Sequence, residues 1–324
     1  MAQQTPVKGS GSLTGAAFGV VSLLLVFGFS YSEEVVTAFL EATGLHGTLW
    51  RTLVLVVDAA LLLAVALLKR AIGRIDGGAP GLWGWWCAAA AFVVVYDVVL
   101  DVFDVTPGVW VNQLLAVVLA VVLGILLTSS LNADPLTLVS ARRRTEMPLD
   151  WQRVRAVVPL VIGSYAAYAG AALWWGSLNV GVVREMDAAT AAAAEHMALV
   201  DRGEFYAHFC AGAVSPRYFE HMTEVIPLLL ITLGIEFGFF RRYLRDPVQR
   251  VATGITVMLL CLGLVGTLST LPWDGVGCGQ VVSKWHEYAV FVLTLQGVFM
   301  GLATLVWQLL VAVPDIAAER DAQL

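Results

Sequence analysis

"RTLVLVVDAALLLAVALLKR", residues 51–70, contains the reading that decides the fold. Between Arg51 and Lys69 the only ionisable side chain is Asp58, and apart from Thr52 the remainder is apolar or small. Such a run approaches the ~20 residues a helix needs to cross ~30 Å of hydrocarbon. A helix that is apolar all round has no wet face to offer a soluble protein. The stretch therefore predicts a membrane span over 51–68.

The same criterion marks further spans at about 14–31, 82–103, 109–130, 156–176, 223–240, 252–272 and 288–312. The composition agrees, with 59% hydrophobic and only 14% charged residues, far from a soluble domain. The predicted fold is all-α: a polytopic membrane bundle of eight transmembrane helices forming a single domain over 1–324. A small extracytoplasmic helical layer is expected at about 177–222. The first span is not read as a cleaved signal peptide, because "YSEEVV" follows it rather than a small-x-small site.

Orientation follows from Lys and Arg in the connections. With the N-terminus inside, the inner segments carry Lys8; Lys69, Arg70 and Arg74; Arg142, Arg143, Arg144, Arg153 and Arg155; Arg241, Arg242, Arg245 and Arg250; and Arg320. The outer segments carry only Arg51, Arg184, Arg202, Arg217 and Lys284. The expectation is N-in, C-in, with a basic inner face suited to anionic lipid headgroups. Three lysines against sixteen arginines fit a prokaryotic plasma (inner) membrane. Two smaller pieces are expected outside the spans: a short amphipathic helix from Ser32 to a stop at Gly44, and an interfacial helix around "LTLVSARRR" in 132–155.

Ionisable residues inside spans are costly and point to function. On a helix Asp97 and Asp101 share a face, four residues apart. Asp58 and Asp97 both lie roughly 10 Å from the outer surface at 1.5 Å per residue. Two readings stand: an acidic vestibule for a proton or metal cation, or an Asp–Arg structural pair with Arg51. Glu236 has two readings as well, a local pair with Arg241 or a relay with mid-span Gln296. As a cation pathway the set is Asp58, Asp97, Asp101, Glu236 and Gln296.

All five histidines fall on the outer side, and no span holds one. The metal-ligating candidates are His208, His221, Glu224, His286 and Glu287. Imidazole with carboxylate suits zinc, and the neighbouring Met197 and Met222 lean towards copper. The competing reading makes 220–227 a helix start, with Thr223 as N-cap and Pro227 in the first turn. Cys87 and Cys261 lie inside spans as small apolar filler. Cys210 and Cys278 fall in two outer loops, where a disulfide is the natural pairing; it would draw His208 and His221 towards His286 and Glu287.

Motifs for acyl transfer (GxSxG) and phosphate binding (GxxxxGK[ST]) are missing from the sequence. Nucleic-acid binding has no support. The expected partners are the lipid bilayer and a homo-oligomer or membrane-complex neighbour. Two function classes follow: a transporter or channel with an outward acidic and histidine site for a cation, or a membrane enzyme or accessory subunit with an extracytoplasmic metal site. A divalent metal, zinc or copper, is the only cofactor suggested.

Overall fold

The computed structural model describes residues 10–43, 49–76, 81–103, 109–178, 189, 192–193, 196–198, 214, 216–239, 247–270 and 284–321. Among these residues the regular structure is helical, without strands. Helix α1, Ser10–Leu23, runs into a π-helical turn, Leu24–Phe29. Then come α2 (Ser32–Thr43), α3 (Leu49–Asp76), α4 (Gly81–Phe103) and α5 (Val109–Ser130). A 3-10 turn, Pro135–Leu138, leads to α6 (Ala141–Glu146) and α7 (Pro148–Leu178). The chain closes with α8 (Pro216–Phe239), α9 (Pro247–Thr270) and α10 (Lys284–Asp321).

Among the described residues five stretches are long and apolar enough to cross a membrane: Thr52–Arg74, Gln113–Ser130, Tyr218–Ile235, Val248–Thr270 and His286–Leu310. Gly15–Phe29 and Leu82–Tyr96 are shorter apolar helices. The chain divides into two compact units. One comprises Met1–Tyr165 with Phe240–Ile255, the other Ala166–Phe239 with Thr256–Leu324.

In the first unit α3 packs against α1, the π turn, α2 and α5, while α4 lies along α5. Its buried face is periodic: Asp58, Leu62, Val65, Lys69 and Ile72, spaced four, three, four and three residues apart. That heptad spacing is one stripe of a helix. The α1 stripe is Phe18, Val21, Ser22, Leu25, Val26 and Phe29. Gly28 permits its approach to α3, since a Cβ there would sit 3.2 Å from Leu61 Cδ2. The π turn is stabilised locally, with Ser30 Oγ donating to Leu25 O at 3.3 Å. As the sequence predicts, α2 is a short helix ending before Gly44; Val36 and Leu40 are buried while Val35 and Phe39 are exposed.

In the second unit α9 and α10 meet along small residues. A Cβ on Gly297 would lie 3.2 Å from the backbone of Leu259 and Leu260, and one on Gly263 would lie 3.3 Å from Thr294 Cα. Two apolar clusters flank this seam: Tyr218, Phe219, Val290, Phe291 and Leu295 with Ala167 and Val214, and Ile226, Leu229, Leu233, Leu260 and Val298.

Three local expectations change. First, α8 begins at Pro216, a residue favoured at the first helical position. Thr223 is therefore inside the helix rather than its cap, its hydroxyl donating back to Glu220 O at 2.6 Å, and Pro227 is likewise internal. Second, "LTLVSARRR" is two pieces. Asp134 caps the 3-10 turn by accepting from Leu136 N–H, and extended Ser140 caps α6 by accepting from Arg143 N–H. Third, Cys87 and Cys261 are exposed side chains rather than core filler.

Candidate functional site

Asp58 is the most deeply placed of the predicted acids that the structure describes, at 5% exposure in the middle of an apolar stretch. Its Oδ1 has no hydrogen-bond partner among the described residues. The carboxylate is hydrogen-bonded to Ser32, the first residue of α2. Ser32 Oγ also lies 3.2 Å from Phe29 O, the last carbonyl of the π turn. One hydroxyl carries one proton, so Ser32 cannot donate to both. A proton on Asp58 resolves the conflict: Asp58 donates to Ser32 Oγ and Ser32 donates to Phe29 O. A single added proton thus satisfies the chain from Asp58 through Ser32 to Phe29 O, while Oδ1 keeps no partner among the described residues.

Eleven residues on, about 16 Å along α3, the same buried face carries Lys69, only 1% exposed. The sequence reading put Lys69 in a polar connection beyond the span; α3 instead continues to Asp76, and Lys69 lies within its apolar stretch. The reason is the partner it finds. Helix α5 ends in a Schellman motif: Ala133 N–H reaches Thr128 O at 3.0 Å and Asn132 N–H reaches Ser129 O at 3.1 Å. Asn132 takes the left-handed conformation, φ 52°, that this ending requires. Lys69 Nζ donates to Ser129 O and, at 2.9 Å, to Asn132 Oδ1. It also lies 5.1 Å from the centroid of the Trp83 ring, within cation–π range. A positive charge at a helix C-terminus is favourable, so Lys69 is a buried charge with its desolvation offset on three sides.

The neighbourhood is a dense polar joint. Trp86 Nε1 donates to Ser130 Oγ at 3.0 Å, and Arg153 Nη1 to Leu131 O at 2.7 Å. Asp134 N–H donates to Asp150 Oδ2 at 3.0 Å, while Asp134 pairs with Arg143. Arg144 donates to the carbonyls of Thr137 and Leu138 and stacks over Trp151 at 4.5 Å. Lys69 is the residue that sequence reasoning missed. The signal was its register with Asp58, Leu62, Val65 and Ile72.

The other predicted residues separate. Asp97, Asp101 and Glu236 sit on α4 and α8, with side chains outside the described residues. Gln296 is buried on α10 and donates to Met300 Sδ at 3.4 Å, within its own helix. His221 and Glu224 are exposed on α8. Ser269 Oγ and His286 Nε2 are 2.8 Å apart, and Glu287 is buried beside His286 in the chain. His208, Cys210 and Cys278 lie outside the described residues, as does most of the expected 177–222 layer; His196 N–H donates to Ala193 O in a turn. Among the described residues no three His, Cys, Asp or Glu side chains come together as metal ligands.

The second unit adds a polar seam that was not predicted. On α9, Thr256, Gly263, Thr267 and Thr270 share the buried face, and on α10 Glu287, Thr294, Gly297, Gly301 and Thr304 do. Thr256 and Thr304 hydroxyls meet across it at 3.4 Å, and Tyr218 of α8 joins Thr294 of α10 beside it at 2.8 Å. Thr294 also bonds Val290 O at 2.8 Å, and Thr267 bonds Leu264 O at 2.8 Å. A hydroxyl that donates to its own helix keeps only lone pairs for the neighbouring one. No protein-family model, curated protein or solved structure matches the chain.

Proposed function

We propose that the chain is a multi-pass membrane protein, its eight long helices all crossing with both ends on the basic inner side, that moves a cation taken up at Asp58. The observation that carries this is the Asp58 pocket: a carboxylate in an apolar helix, buried, with one oxygen partnerless and a hydroxyl chain that one proton completes. The proton is therefore the cation that the hydrogen bonding accommodates best. A divalent ion would ask for several further oxygen or nitrogen ligands, and the acids and histidines described around Asp58 do not supply them.

One observation favours the non-transporting alternative, an accessory subunit or membrane enzyme. Past Asp58 the same face of α3 presents Leu62 and Val65 and then the Lys69 ammonium, which repels a cation on that route. Transport requires Lys69 to leave its cradle or the cation to leave α3.

The two readings part in one experiment. The full-length protein is reconstituted in liposomes with a trapped pH dye, and a potassium diffusion potential is imposed. Wild type should carry protons, and Asp58→Asn should lower the rate by an order of magnitude or more, while a surface control such as exposed Glu146→Gln does not. Wild-type flux equal to that of empty liposomes removes the transport reading; equal flux in Asp58→Asn removes Asp58 from it.

A further inference from the structure

The joint between α5 and α7 has an outward side that neither the fold nor the Asp58 pocket uses. Leu138, Val139, Met147 and Leu149 are all exposed, Val139 at 83% and Leu149 at 68%. They flank α6, so two apolar pairs bracket Arg142, Arg143 and Arg144. Four large apolar side chains around three arginines form an exposed patch of the kind that needs a partner. It is not a loose loop: Asp134, Ser140, Arg143, Arg144 and Trp151 tie it from within.

We propose that this elbow, residues 132–151, docks on an anionic lipid leaflet, with the four apolar side chains entering the headgroup boundary and the arginines meeting lipid phosphates. This rests on the membrane reading above. Position supports it, because Asn132 is two residues past the apolar stretch of α5, Gln113–Ser130. The chain then folds back: Arg153 reaches Leu131 O, and Asp150 takes Asp134 N–H. The elbow is held at the level where a span ends, which is where amphipathic pieces and tryptophans such as Trp151 rest.

Charge supports it as well. Arg144 is held by carbonyl oxygens, bonds that fix the side chain without cancelling its charge. Arg142 projects at 87% side-chain exposure, its pair with Glu146 lying in the open. Exposed Arg70 and Arg74 extend the same basic side from α3, and clustered basic residues beside a span attract anionic headgroups.

The test uses the full-length protein with its four cysteines replaced by serine and one introduced, Val139→Cys or, as control, Val95→Cys on the exposed side of α4. Each is spin-labelled in vesicles of phosphatidylcholine alone or with phosphatidylglycerol, and collision with oxygen is compared with collision with a water-soluble nickel chelate. The label at 139 should be rich in oxygen and shielded from nickel, more so with the anionic lipid, and Arg142→Gln should weaken that dependence. Nickel access at 139 with the label at 95 still shielded overturns the elbow proposal alone. Nickel access at both positions overturns the membrane reading beneath it. Shielding that follows protein density instead of lipid charge assigns the patch to a protein neighbour and overturns the proposal.

Discussion

Lys69 shows how a single side chain can be misplaced by its type. A lysine at the end of an apolar run reads as the wet end of a span, and nothing in composition opposes that. Its heptad register with Asp58 does, but register matters only once the buried face of α3 is known, and an apolar stretch of this kind conceals which face that is. Asp58 was legible because a carboxylate in an apolar run is costly, though a structural pair with Arg51 competed with the functional reading; its Ser32 partner was not, because the π turn that delivers it has no sequence signature. The Lys69 cradle carries a prediction. Lys69→Met leaves Asn132 Oδ1 and part of Ser129 O buried without a donor, which should cost about 1–3 kcal/mol. Asn132→Gly removes the acceptor but suits φ 52°, so its loss should be smaller. Because the two residues share one bond, the double variant should lose less than the sum. Thermal unfolding in detergent micelles reads all three; strict additivity would show that the bond contributes nothing.

At the scale of elements, the long helices were legible because apolar run length is a one-dimensional property. Their ends were not: α8 starts seven residues before the expected 223, since Pro216 opens a helix as readily as Thr223 would cap one. The α9–α10 seam was hidden for another reason. Gly263 and Gly297 look like ordinary glycines of a membrane helix until the partner backbone is placed against them, as Gly266 does until Val290 is placed against it. Once placed, they differ sharply from Gly84 and Gly234, where an added Cβ meets nothing within 4 Å. Gly297→Ala should destabilise by about 1–3 kcal/mol, because the atoms it meets are backbone and cannot turn aside. Gly84→Ala should be neutral or stabilise by up to about 1 kcal/mol through helix propensity. The comparison is read from the melting temperatures of the two variants beside wild type. Similar shifts in both would mean that α9 and α10 do not approach as closely as the seam requires.

At the scale of the whole molecule, the number of crossings is the property on which the Asp58 and elbow proposals both depend. Among the described residues five stretches meet the length and apolarity of a span, whereas eight crossings require α1 with its π turn, α4 and α7 to cross too. Chain connectivity favours this for α4. Only residues 77–80 join it to α3 and 104–108 to α5, and α4 lies along α5; segments that short cannot recross a bilayer. For α7 the elbow fixes only the starting point, since Asp134 and Leu131 bond to Asp150 and Arg153 and so keep the end of α5 and the start of α7 together; its 31 residues exceed the ~20 that a crossing needs. Reporter fusions after Gly78, Pro107, Ser140, Asn179 and Leu324 convert this into sides. Green fluorescence is expected after 78, 140 and 324, and alkaline phosphatase activity after 107 and 179. If 107 reports the same side as 78, α4 does not cross; if 179 reports the side of 140, α7 does not. Either result would take that helix out of the crossing count and move the side on which the elbow rests, while α1, the π turn and α2 would still cover the α3 face that carries Asp58.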